Sequence, residues 1–152
     1  MPYEYKARLK KVIDGDTIIL DIDLGFSIVL RDQNIRLSGL DTPESKSKDK
    51  IEKIFANLSR KAVEDFMKNS DKENLIIQTL YDKDNGDKFG RILGRVYNSN
   101  KTCLNDWLID NSFAVAYNGE NKELVKPQHL KNRKILIDNK IAQISYAEAG
   151  II

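Results

Sequence analysis

Thr17-Ile18-Ile19-Leu20-Asp21-Ile22-Asp23-Leu24-Gly25 is the stretch on which the fold turns. Its first six residues are β-branched and rich in isoleucine, as strands are. It closes on turn chemistry, Asp23-Leu24-Gly25. Upstream, Tyr5, Ala7, Leu9 and then Val12-Ile13 alternate loosely, a second strand. Downstream, Phe26 to Leu30 and Ile35 to Leu37 continue the sheet, with a polar kink at Arg31-Asp32-Gln33-Asn34. Pro43 and the polar run Ser45 to Lys50 read as a loop. Then the period changes. Ile51, Ile54, Phe55, Leu58, Ala62 and Phe66 recur at three and four residues, the stripe of an amphipathic helix, which Asn69-Ser70-Asp71 ends. Leu75 to Tyr81 and Arg91 to Tyr97 are two further strands, joined by a hairpin turn at Asp84-Asn85-Gly86-Asp87. Leu104, Trp107 and Leu108 mark a short second helix, and Gln128 to about Ser145 a third. Five strands with a helix after the third and helices at the end predict an α+β fold: a five-stranded closed barrel of the OB type with about three helices.

The chain has 152 residues, the size of one domain, so residues 1–152 are expected to fold as one unit. Its 25 Lys and Arg against 23 Asp and Glu leave a net charge of +2. A polyanionic partner would therefore have to meet a local basic face. The lone Cys103 excludes an internal disulfide and reads as a small core hydrophobe. With one histidine, His129, a zinc site of His and Cys is nearly excluded, and so are nucleases that use paired histidines. No strained nucleophile elbow accompanies it, as a Ser-His-Asp triad would need. A general base here is expected to be a carboxylate. No apolar run reaches the length of a membrane span. The first residues, Met1-Pro2-Tyr3-Glu4-Tyr5, lack a signal peptide's apolar stretch. The expectation is a cytoplasmic monomer; a secreted protein already trimmed of its leader reads the same.

Two segments carry the chemistry. Asp14-Gly15-Asp16-Thr17 reads either as a plain turn between strands or as a pair of carboxylates offered to a cation. Arg36-Leu37-Ser38-Gly39-Leu40-Asp41-Thr42-Pro43-Glu44 reads either as a strand exit stopped by Pro43 or as the rest of that site. Carboxylates collect a hard divalent cation, and arginine collects a phosphate in its planar fork. Held over one point, they point to phosphodiester chemistry. A third segment, Asp87-Lys88-Phe89-Gly90-Arg91, supplies a second arginine. The acidic turn Asp84 to Asp87 fails the spacing of an EF-hand, with Gly86 where a ligand should stand.

With Val115-Ala116-Tyr117 and Gln128-His129-Leu130 added, the chain resembles the staphylococcal (micrococcal) nuclease family, the thermonucleases, from about Lys11 to about Lys140. The compact N-terminus is similar to that of leaderless intracellular or phage-borne members. The resemblance implies Ca²⁺ held by the side chains of Asp16 and Asp41 and by the Thr42 carbonyl. It implies Glu44 as the base that activates water, and Arg36 and Arg91 as the phosphate clamp. Lys88, Phe89 and Tyr117 fall at substrate positions. The implied reaction is hydrolysis of DNA, and of RNA, at the 5′ P–O bond, leaving 3′-phosphates. Asp14 reads as a supporting turn residue behind Asp16. The chain departs from the pattern of the secreted enzyme at Phe89, where close relatives carry tyrosine, and at Gly119, where a tyrosine is expected. Stacking survives the first change and a hydroxyl contact does not.

His129 is expected to pack or hydrogen-bond rather than act chemically. Lys126, Lys131, Arg133 and Lys134 read either as a nucleic-acid patch or as a solvated helix face. Lys46, Lys48, Lys50 and Lys53 border the active loop, where they would touch backbone phosphate. The rival reading is a non-catalytic OB-fold module that binds single strands; Arg36, Glu44 and Arg91, all present, speak against it.

Overall fold

The structure of the protein, a computed structural model, describes residues 3–80 and 90–151. In chain order its elements are β1 (Tyr3–Asp14), β2 (Thr17–Asp23), β3 (Val29–Leu37), β4 (Leu40–Asp41), α1 (Lys50–Lys68), β5 (Leu75–Thr79), β6 (Ile92–Tyr97), α2 (Leu104–Asp110), β7 (Val115–Ala116), a 3₁₀ turn (Lys122–Val125) and α3 (Lys126–Asp138). Five strands close a barrel in the order β1-β2-β3-β6-β5, and β4 pairs with β7 in a separate two-stranded ribbon. The β3–β6 contact is parallel and the other barrel contacts are antiparallel. This is the α+β, OB-type fold with three helices that the pattern predicts. The turn predicted at Asp84 to Asp87, and Tyr81, Lys88 and Phe89, lie outside the described residues.

Period-two patterning fills the barrel. Ile18, Leu20 and Ile22 of β2, Ile35 and Leu37 of β3, Leu75 and Ile77 of β5, and Val96 of β6 all point inward and are buried. Val63, Phe66 and Met67 of α1 and Leu104 and Leu108 of α2 cap the same core. Cys103 is buried too, as a small hydrophobe. Asn105, 1 % exposed, fastens α2 to the barrel with one side chain. Its amide donates to the Ser38 and Gly94 carbonyls at 2.9 and 3.1 Å, and its oxygen accepts the Val96 N–H at 3.1 Å.

Three local expectations are corrected, and a fourth, the polar kink, is given its form. The apolar run at Phe26 is a turn, with Phe26 and Ser27 at φ 53° and 64° and Phe26 98 % exposed; the strand begins at Val29. The polar kink at Arg31 to Asn34 is a bulge inside β3. The β2–β3 register shifts between Leu20 and Ile22, Asp32 takes φ 56°, and its N–H donates to buried Asp21 at 2.9 Å. Ile54 lies outside the buried face of α1, which runs through Phe55, Ala56, Ser59, Ala62, Val63, Phe66 and Met67. Finally, α3 stops at Asp138 rather than near Ser145. Lys140 turns left-handed at φ 61°, and the N–H groups of Ile141 and Ala142 fold back onto the Leu136 carbonyl. That is how helices are closed by a left-handed residue.

Candidate active site

Strand register builds the site. Thr17 at the start of β2 lies opposite Arg36 of β3, and the Leu37 N–H donates to the Asp16 carbonyl at 2.8 Å. The acidic turn and the arginine therefore meet at one end of the barrel. The parallel pairing of Arg36 with Leu93 brings the start of β6, and Arg91 just before it, to the same end. The β4–β7 ribbon pairs Asp41 with Val115 and sets Asp41, Thr42 and Tyr117 beside them. These elements line one open cleft of about 760 Å³, with Asp14, Asp16, Thr17, Arg36, Asp41, Thr42, Glu44, Lys46, Arg91, Tyr117 and Lys122 among its walls.

Gly15 is small for a reason beyond turn chemistry. A Cβ there would sit 2.7 Å from Ser59 Cβ, 3.2 Å from the Ser59 main-chain carbon and 3.3 Å from Thr42 Cγ2. The acidic turn is pressed against α1 and against Thr42, so it has little room to drift.

The arginines are held before any ligand arrives. Arg36 is 14 % exposed in its side chain and lies 3.6 Å from Asp16 Oδ2. Its Nη1 donates to the Leu37 carbonyl at 2.6 Å and its Nη2 to the Leu40 carbonyl at 3.1 Å. Arg91 Nη1 donates to Thr17 Oγ1 at 3.2 Å, and Thr17 Oγ1 in turn donates to Asp16 Oδ1 at 2.9 Å. Thr17 thus links the second arginine to the acidic turn. The sequence reading gave it no role of its own.

Asp41 is the most enclosed carboxylate of the cleft, 7 % exposed. His129 Nε2 lies 3.1 Å from its Oδ2 and Lys122 Nζ 3.3 Å from its Oδ1. Burial pushes the Asp41 pKa up, but the His129 hydrogen bond and the Lys122 charge outweigh it, so the net value lies below the ordinary carboxylate range. The expected hydrogen-bonding role of His129 is present, directed at this carboxylate from 88 residues away. Nothing in the local sequence signals that contact, or the one from Lys122.

Glu44 is exposed, its Oε1 accepting the Lys46 N–H at 3.0 Å and its own N–H donating to Glu52 Oε1 at 2.9 Å. Tyr117 lines the cleft with Lys122 Nζ 5.9 Å from its ring centre. Of the two readings of the α3 cations, the solvated helix face fits: Lys126 and Lys134 sit in exposed pairs and Arg133 alone is enclosed. Arg133 bonds Glu52 at 2.7 Å and the Ala149 carbonyl at 2.9 Å, Lys134 pairs with Asp138, and Lys126 with Glu123. Only Lys131 of the four has no such role described, so α3 presents no block of cations.

Asp16, Asp41 and Thr42, the residues expected to hold a cation, all line this cleft. All are oxygen donors, which a hard ion takes. Among the described residues no three His, Cys, Asp or Glu side chains gather as a metal cluster, so most of such an ion's shell would be main chain and water. No helix of the described residues is long and apolar enough to cross a membrane.

An OB-type barrel whose mouth carries a cleft of carboxylates and fixed arginines defines the class. The family model described as staphylococcal nuclease homologue matches residues 34–136, about two thirds of the chain, and the chain belongs to that family. It is 36 % identical over 89 residues to a thermonuclease of Staphylococcus intermedius, covering 59 % of this chain and 46 % of that protein. It is 34 % identical over 94 residues to a thermonuclease of Staphylococcus hyicus, covering 62 % and 49 %. The chain thus spans about half the length of the curated relatives it matches. The family match begins inside β3. Asp16 and Thr17 precede it and join the site through the β2–β3 ladder.

Proposed function

We infer that the protein is a calcium-dependent nuclease that hydrolyses phosphodiester bonds of DNA, and of RNA, and leaves 3′-phosphates. The observation that carries this reading is the convergence of Asp16, Asp41, Thr42, Arg36, Arg91 and Glu44 on one open cleft. Asp16, Asp41 and the Thr42 carbonyl would hold Ca²⁺, whose irregular oxygen shell suits one main-chain donor and several waters. When bound, the ion supplies positive charge against the phosphate.

The chain's own residues do the rest. Arg36 and Arg91 bind two sides of the phosphoryl group and stabilise the charge that grows there during attack. Their carbonyl and Thr17 contacts hold them in place, so little reorganisation is needed when the substrate arrives. Glu44 takes a proton from a water molecule. The water oxygen attacks phosphorus, the P–O5′ bond breaks, and the 5′-oxygen leaves with a proton from solvent. Tyr117 offers a ring on which a base stacks.

The test is cleavage of single-stranded DNA, duplex DNA and RNA by the purified protein, each with calcium, with magnesium and with chelator. The expected result is cutting that chelator abolishes and that calcium restores better than magnesium. Undiminished cutting in excess chelator would refute the metal requirement. Binding without cutting would favour the non-catalytic single-strand module.

A further inference from the structure

Glu44 stands at the end of a line of contacts that leads away from the cleft. Its N–H donates to Glu52 Oε1 at 2.9 Å. Glu52 gives its other oxygen to Arg133 Nη2 at 2.7 Å. Arg133 Nη1 donates to the Ala149 carbonyl at 2.9 Å, and its guanidinium lies 5.0 Å over the Phe55 ring. Phe55 and Ala149 belong, with Leu136 and Ala142, to a small buried cluster distinct from the barrel core. The side chains of Arg133 and Glu52 are 14 % and 29 % exposed. An ion pair this enclosed, with the guanidinium anchored at both ends, is worth more than a solvated surface pair.

Glu52 is placed where another use was open to it. Asp49 is the N-cap of α1 and accepts the Ile51 N–H at 2.9 Å. Glu52, three residues on, completes the pattern of a capping box, in which that glutamate accepts the N–H of the cap itself. Here it does not. The Asp49 N–H goes to Ser47 Oγ at 3.1 Å, and Glu52 reaches further back, to Glu44. The reciprocal bond that would serve the helix is diverted to the loop that carries the proposed base.

We propose that Glu52, held by Arg133, is a positioning residue for Glu44, tying the loop to α1, α3 and the C-terminal segment. This rests on the reading of Glu44 as the base. The carboxylate of Glu44 is exposed, and its only side-chain bond described is to Lys46 in the same loop. Its placement against the cleft therefore depends on its main chain, and Glu52 fixes that main chain from outside the loop. A misplacement of about 1 Å in a reacting group costs up to about 10²-fold in rate.

The test uses the full chain and four variants: Glu52→Ala, the isosteric Glu52→Gln, Arg133→Lys, and Glu52→Ala combined with Glu44→Gln. Glu52→Gln keeps an oxygen for the Glu44 N–H and loses the charge pair, so it stays informative if the alanine variant folds poorly. Urea denaturation shows which variants are folded. Amide hydrogen exchange at Glu44 and turnover of single-stranded DNA are then measured.

In Glu52→Ala, exchange at Glu44 is expected to quicken about tenfold relative to core amides. Turnover should fall about tenfold with KM changed less than about twofold, since an untethered base harms chemistry and spares binding. Glu52→Gln and Arg133→Lys should lose less, about threefold. In the Glu44→Gln background, Glu52→Ala should cost nothing further, because its effect passes through the missing base. Parent-like turnover in Glu52→Ala overturns the proposal and leaves the nuclease reading intact. An equal fold loss in the Glu44→Gln background also overturns it, because Glu52 would then act on the fold at large. A parent chain that cleaves nothing overturns the nuclease reading, and the catalytic part of this proposal with it.

Discussion

Gly15→Ala is the most direct test of how the acidic turn is held. The added methyl would lie 2.7 Å from Ser59 Cβ and 3.2 Å from the Ser59 main-chain carbon. Neither atom can rotate away, since both are fixed by the backbone of α1. The third neighbour, Thr42 Cγ2 at 3.3 Å, can yield by a few tenths of an ångström. Overpacking of this kind costs about 1–3 kcal/mol, and rigid neighbours place this case in the upper half. Replacing glycine also restricts the unfolded chain, which returns about 0.4–1 kcal/mol. The net expectation is a loss of about 1–2.6 kcal/mol, or about 2–10 °C in Tm for a domain of this size. Trp107, packed between Phe66 and Phe113, reports unfolding by fluorescence in a urea titration. The midpoint should fall with the slope unchanged. Ser59→Gly removes the closest of the three contacts, so the alanine should cost about 1 kcal/mol less in that background. Parent-like stability of Gly15→Ala, or strict additivity of the two changes, would refute the argument.

Replacing Arg36 or Arg91 by Lys keeps the charge and removes the fork, so each should lose most cleavage with only modestly weaker binding of uncleaved DNA; equal losses in both would refute a transition-state role. Glu44→Gln should lower turnover by about 10²-fold or more with DNA binding nearly kept, and near-normal turnover in the folded variant would move the base elsewhere. The Arg8 hydrogen bond, helped by the Asp32 N–H and opposed by burial, holds the Asp21 pKa below its ordinary value. Its contribution to stability is therefore full above the unfolded carboxylate pKa of about 4 and is lost as pH falls through the folded value. Asp21→Asn should destabilise at neutral pH, and the gap to the parent should close in acid; a gap constant from pH 7 to 2 would contradict this. Asn105→Leu strands the Ser38 carbonyl and the Val96 N–H, while the Gly94 carbonyl keeps its Ser38 donors, and should cost at least about 2 kcal/mol by urea denaturation; a neutral effect would mean that α2 is held by packing alone.

The barrel was legible because its strands and α1 obey simple periods: Ile18, Leu20 and Ile22 at two, Phe55, Ala62 and Phe66 near 3.6. The β4–β7 ribbon was not, since two residues per strand are too few to show a period. Phe26 misled because an apolar residue reads as strand, while its backbone is set by the turn it makes. Lys140 ends α3 without a glycine to announce it. At the site, the carboxylates and arginines were readable as residue types in order along the chain. Their supports were not. His129 and Lys122 on Asp41, Thr17 on Arg91 and Glu52 on Glu44 depend on folds in the chain that only register and packing settle. The α3 cations show the converse: a basic run in sequence becomes one enclosed guanidinium, Arg133, and two exposed surface pairs.

The parallel seam between β3 and β6 also sets when the cleft can exist. Its residues come from the first hairpin, the end of β3, the start of β6 and the ribbon closed by Val115, so no local piece of chain contains it. During synthesis, the acidic turn and Arg36 emerge long before Arg91 and Tyr117, and α1 and β5 must be laid down between them. Pairings this distant in sequence form late and slowly. A growing chain shorter than about residue 117 has most of its strands and no complete cleft. With the nuclease activity proposed above, the growing chain would in this way stay inert beside its own messenger at least until Tyr117 has left the ribosome.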